Sequence, residues 1–129
     1  VEDRPITIDN PAIEARIGHI SFYSATYRLF KIEGLEPACE DYGQAVIYKG
    51  TIEDHPQQFI LDKHHSIDSG RVFPVCGNTY RMLNESRFCQ HFEFIGDMST
   101  HFGIFADCGS DIPYDSDTIT SQGGGGACC

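Results

Sequence analysis

The stretch Phe59-Ile60-Leu61-Asp62-Lys63-His64-His65-Ser66-Ile67-Asp68-Ser69-Gly70-Arg71-Val72-Phe73-Pro74-Val75 decides the fold class. Phe59, Leu61, His65 and Ile67 fall on one side of an extended chain, and Asp62, His64 and Ser66 on the other. A period of two marks a strand with one buried face. Asp68-Ser69-Gly70 supplies turn residues, which predicts a hairpin into Arg71–Val75.

Working outward, Gln44–Lys49 (QAVIYK) reads as another strand. Ile20–Ile32 (ISFYSATYRLFKI) is rich in β-branched and aromatic residues, with apolar groups on both faces, and is expected to lie centrally in the sheet. The first eight residues read as an extended lead-in. Asn10-Pro11 places a cap and a proline at the start of a short helix near 10–17, ended by Gly18. Gly77-Asn78 opens a second helix near 78–86, while Phe88–Ile95 fits either a helix or a strand. The expected architecture is α+β: an antiparallel sheet of about four strands (near 20–32, 44–49, 58–67 and 71–75) with two short helices. Residues 1–113 form the domain, with an apolar patch at Phe102–Ala106 docking on the sheet, and 114–129 form a flexible tail rich in Asp, Ser, Thr and Gly.

With 129 residues, 40% of them hydrophobic, the chain suffices for one domain with a real core. A net charge of −10 with only nine Lys and Arg argues against nucleic acid and against an anionic membrane surface. No apolar run reaches the roughly 18 residues of a membrane span, and no signal peptide opens the chain. Val1 stands where an initiator Met would, so the chain reads as processed or as a fragment. Six cysteines without a CxxC pair or a signal peptide point to a reduced, cytoplasmic protein.

The chain ends Gly123-Gly124-Gly125-Gly126-Ala127-Cys128-Cys129. Adjacent Cα atoms lie about 3.8 Å apart, too close for an unstrained disulfide, so Cys128 and Cys129 are expected to persist as a dithiol suited to a soft metal or metalloid. Cys39, Cys76, Cys89 and Cys108 read as buried hydrophobes or loop thiols rather than ligands. Cys76 ranks first among them, because a helix N-terminus favours a thiolate. Cys39 sits among Glu33, Glu36, Glu40 and Asp41, a solvated acidic loop that disfavours one. His64 and His65 point to opposite faces and cannot share a metal; His65 reads as a half-buried core residue and His64 as a partner for Asp62. No glycine-rich motif sits between a strand and a helix, so no cofactor site is expected in this chain.

Three stretches together carry a family resemblance: Ser24-Ala25-Thr26-Tyr27-Arg28-Leu29-Phe30-Lys31, Cys39-Glu40-Asp41-Tyr42-Gly43-Gln44-Ala45-Val46-Ile47-Tyr48, and Phe73-Pro74-Val75-Cys76-Gly77-Asn78-Thr79-Tyr80-Arg81-Met82-Leu83. From about Asp3 to Pro113 the chain resembles the C-terminal region of the arsenite S-adenosylmethionine methyltransferases. The resemblance implies upstream methyl-donor and arsenite-binding domains in the same chain, S-adenosylmethionine as the cofactor of the whole enzyme, and a role in arsenic detoxification. It implies that the catalytic cysteines lie upstream, that this piece alone does not methylate, and that Cys128 and Cys129 serve arsenite as accessories. The alternatives are a stand-alone thiol-based metal or metalloid module, and a small α+β enzyme using His65 or Cys76.

Overall fold

The computed structural model describes residues 2–18, 20–62, 64–106 and 108. Nine short strands and two helices follow one another: β1 (Glu2–Ile6), α1 (Pro11–Ile17), β2 (Phe22–Thr26), β3 (Glu40–Asp41), β4 (Ala45–Tyr48), β5 (Gln58–Ile60), β6 (Ser66–Asp68), β7 (Val72–Pro74), α2 (Gly77–Asn84), β8 (Phe92–Ile95) and β9 (Gly103–Ile104). The class is α+β, but the strands form four small antiparallel sheets rather than one: β1–β2, β3–β9, β7–β4–β8 and β5–β6. Both helices lie where the caps put them. Asn10 accepts the amides of Ala12 and Ile13 at 3.0 and 3.3 Å, with Pro11 at the first helical position.

Three expectations are corrected. The run 58–67 is not one strand but a hairpin, with Phe59 opposite Ile67. Asp62 makes the turn: its carboxylate accepts the amides of His64 and His65, each at 2.9 Å, and Leu61 N–H reaches the His65 carbonyl. Alternation survives across this turn because Leu61 and Ile67 are buried and His65 is half-buried, so the pattern concealed the reversal. Next, Asp68-Ser69-Gly70 does not close a hairpin onto β7. It carries the chain across, with Gly70 N–H on the Tyr48 carbonyl, so that β7 pairs with β4 instead. Finally, β2 is not central: it stops at Thr26 and, among the described residues, pairs only with β1. The ambiguous 88–95 segment resolves into a single 3-10 turn at Cys89–His91 followed by β8.

The core gathers Val46, Tyr48, Phe59, Leu61, Ile67, Val75, Leu83, Phe88 and Phe92. Phe59 is its hub, with ring centroids 5.0 Å from Phe88, 5.2 Å from Phe92 and 5.7 Å from Tyr48. The buried Tyr48 hydroxyl donates to the His55 carbonyl at 2.8 Å and accepts from Ile52 N–H at 3.2 Å, which offsets the cost of its burial. Phe102–Ala106 docks through its backbone, as β9 on β3; Phe102 and Ile104 themselves remain exposed.

Candidate functional site

Helix α2 begins on a cysteine. Cys76 is its N-cap, in extended conformation, and its Sγ accepts the Thr79 amide at 3.4 Å. Gly77 follows because the acidic loop packs there: a Cβ at Gly77 would stand 3.0 Å from the Tyr42 ring and 3.2 Å from Glu36 Oε2. Next in the helix, the buried Asn78 side chain clamps that loop. It donates to the carbonyls of Glu36 and Ala38 at 2.8 and 3.3 Å and accepts Glu36 N–H at 2.8 Å. Cys39, the next residue along, is thereby held against Cys76.

The third element is β9. Its pairing with β3 and the bond from Phe105 N–H to the Cys39 carbonyl, 2.8 Å, return the chain to the same place, and Cys108 is joined to Cys39 as a disulfide. That pair departs from the fully reduced state expected of the chain. The sulfurs of Cys39, Cys76 and Cys108 all lie within 4.8 Å of one another, the first two buried and the third partly so. Sequence reasoning points only to Cys76 of these. Local spacing offers no signal, since three segments supply one thiol each; the usable hint is that Cys39 and Cys108 flank two segments that pair.

A polar chain leads to the Cys76 sulfur. His65 Nδ1 lies 2.8 Å from Asp62 Oδ1, and His65 Nε2 lies 3.5 Å from the Thr79 hydroxyl, which in turn is 3.4 Å from Cys76 Sγ. Burial alone would raise the Asp62 carboxyl; the hydrogen bond and charge of His65, with the two amides of the turn, override it and hold the carboxyl down to about 2. His65 is half-buried as expected, and it is the His65 ring, with the His64 backbone, that serves Asp62. In the acidic loop, Glu40 meets His101 at 2.7 Å and Glu36 accepts the Tyr42 hydroxyl at 2.6 Å, a hydrogen bond that raises the Tyr42 phenol. Cys89 is exposed and apart from the cluster, and Cys128 and Cys129 lie outside the described residues.

A buried thiol cluster on an α+β scaffold is the site that comparison with known proteins has to account for. The profile of the Arsenite methyltransferase C-terminal domain matches residues 42–112, more than half of the chain. The chain belongs to the arsenite methyltransferase family, as its C-terminal domain. It is 64% identical over 115 residues to the arsenite methyltransferase of Aquipseudomonas alcaligenes, covering 89% of this chain and 33% of that protein. It is 37% identical over 89 residues to the human arsenite methyltransferase, covering 67% and 22%. In structure it is similar to the arsenic(III) S-adenosylmethionine methyltransferase of Chlamydomonas reinhardtii, with a TM-score of 0.67 and 42% identity over 81% of this chain and 35% of that one. The chain thus spans about a third of the length of these two microbial relatives. No helix among the described residues is long and apolar enough to cross a membrane.

Proposed function

We propose that this chain is the accessory C-terminal domain of an enzyme that transfers a methyl group from S-adenosylmethionine to trivalent arsenic, and that the domain by itself does not catalyse the transfer. The 64% identity to an arsenite methyltransferase of which the chain covers only 33% carries the proposal. The remaining two thirds of such an enzyme supply the methyl-donor and arsenite-binding domains, in keeping with the lack of a donor-binding glycine motif in this sequence.

The domain packs against those upstream domains. Leu29, in the most specific block of the resemblance, is 91% exposed, and Ile6, Ile13, Ile20, Phe22 and Tyr27 are exposed with it. An apolar surface of that kind is suited to an interdomain contact. The domain also captures arsenite, the adjacent thiols Cys128 and Cys129 collecting it for the upstream site in the cytoplasm. Assaying methylated arsenic with S-adenosylmethionine and a thiol reductant tests the reading. The longer natural chain should turn over, the 129-residue chain should not, and turnover by the latter alone would refute it. Changing Cys128 and Cys129 to Ser is expected to abolish arsenite uptake by the chain whose Cys39–Cys108 bond is still closed, and undiminished uptake would remove the tail pair from the reading.

A further inference from the structure

Helix capping does not need a sulfur at position 76, since Ser caps a helix well, and closing the chain needs only two cysteines. The structure nevertheless brings a third thiol to the disulfide, from a different segment and in the interior. We infer that Cys39, Cys76 and Cys108, once reduced, form a three-thiolate site for a trivalent arsenical. The identity of the ligand rests on the function proposed above; the site itself rests on the geometry.

Two observations select this chemistry over a divalent metal, and a third shows that the site can form. First, three sulfurs match the three-coordinate, thiophilic centre of arsenite, whereas a structural zinc site takes four ligands. Among the described residues no fourth Cys, His, Asp or Glu joins the trio at the same spacing. Second, three thiolates with a trivalent centre sum to zero charge, but with a divalent ion they leave a net −1. Cys39 and Cys76 are each 1% exposed, and an uncompensated charge there would be costly. Third, the spacing fits. Once the Cys39–Cys108 bond opens, those two sulfurs part and Cys76, within 4.8 Å of both, closes in, a spacing that bonds of about 2.3 Å to a central atom can span. The N-terminus of α2, whose cap is Cys76, adds a favourable field for thiolate sulfur as the ion enters.

Loading requires the Cys39–Cys108 bond to open. Two equivalents of a monothiol reductant supply the electrons: they leave as their own disulfide, and Cys39 and Cys108 each gain a proton. Arsenous acid then exchanges its three hydroxyls for three thiols. Three As–S bonds form, three As–O bonds break, each thiol proton departs with a hydroxide as water, and no atom changes oxidation state. Cys108 is the least buried of the three.

The test uses the 129-residue chain carrying Cys128→Ser and Cys129→Ser, so that the tail contributes no thiol. Native mass spectrometry after phosphine reduction and addition of sodium arsenite is expected to show one arsenic per chain, and none without reduction. Cys76→Ser keeps a capping side chain and so keeps the fold; it should weaken arsenite binding by more than about 100-fold, beyond what loss of an outer-shell partner costs. Cys89→Ser should change nothing. X-ray absorption at the arsenic edge, with all three internal cysteines intact, is expected to count three sulfur neighbours and no oxygen. Undiminished binding by Cys76→Ser, a first shell of two sulfurs and one oxygen, or uptake of zinc or cadmium but not arsenite would each overturn the site. Should the longer natural chain lack arsenite methylation while the trio still binds arsenite, the functional reading fails and the site stands; methylation with no arsenic on the trio gives the reverse.

Discussion

Residues 4–38 and residues 39–106 hold their shapes by different means. In the first region no described side chain is buried: β1 and β2 pair along five residues each, α1 is capped by Asn10, and Ile6, Ile13, Ile20, Phe22, Tyr27 and Leu29 are exposed. The end of this region is tied down by Arg28, donating to the Leu61 carbonyl at 2.7 Å, by Phe30, packed on the core, and by the Asn78 clamp on Glu36 and Ala38. In the second region thirteen hydrophobic residues are buried, Phe59 and Tyr48 among them, and even the polar Asn78 and Thr79 lie inside. Backbone pairing alone makes a two-stranded ribbon only marginally stable. The first region therefore rests on backbone pairing and a capped helix, whereas the second rests on its own buried core.

Substitutions should expose the contrast. Leu83→Ala, in the core at 0% exposure, is expected to cost about 2–5 kcal/mol in urea unfolding. A loss no greater than that of an exposed site would show that the second region is not the seat of stability. Asn78→Ala orphans Glu36 N–H and two carbonyls and should cost about 1–3 kcal/mol; faster alkylation of Cys39 in the reduced chain is the sharper readout, and unchanged alkylation would mean that the clamp does not place that thiol. Asp62 sharpens the comparison by pH. Its folded value of about 2 lies below the ordinary 3.8, so its contribution is complete above the latter and is lost as pH falls toward the former. Denaturant midpoints of Asp62→Asn should therefore lie below those of the parent at pH 5 and approach them near pH 2; parallel profiles would remove the role given to the His65 contact. In the first region, Asn10→Ala should cost about 1 kcal/mol locally, seen as faster amide exchange in α1, with the global midpoint unmoved. Smallest of all, Leu29→Ala should stay within about 0.5 kcal/mol in this chain. The same change in the longer enzyme is expected to loosen domain packing, measured by limited proteolysis.

The sequence is most legible where chemistry is local. Asn10-Pro11 marks the start of α1, VCGN that of α2, and the apolar run at 45–48 is β4. It misleads where a turn keeps the rhythm of a strand. Asp62-Lys63-His64 contains neither Gly nor Pro, and the reversal depends on one carboxylate accepting two amides. Apolar residues on both faces of 20–32 suggest a central strand, yet they mark surface without a cover in this chain. The family is legible because its three blocks are long and specific. The thiol cluster is not, because one sulfur comes from a loop before β3, one from a helix cap and one from beyond β9; their meeting depends on Asn78 and on a two-residue strand pair that no periodicity announces.

The bond between Cys39 and Cys108 has a topological consequence. It spans a sequence separation of 69 and draws a ring around the buried core cluster, with the segment before Cys39 joined to that ring through Arg28, Phe30 and the Asn78 clamp. Chain-entropy arithmetic gives such a ring on the order of 4 kcal/mol against the unfolded state. Reduction opens the ring, and an ion gripped by the same two sulfurs and a third closes it again. A single knot, tied either by sulfur alone or through a captured atom, would let the domain trade one clasp for the other without letting its core go slack.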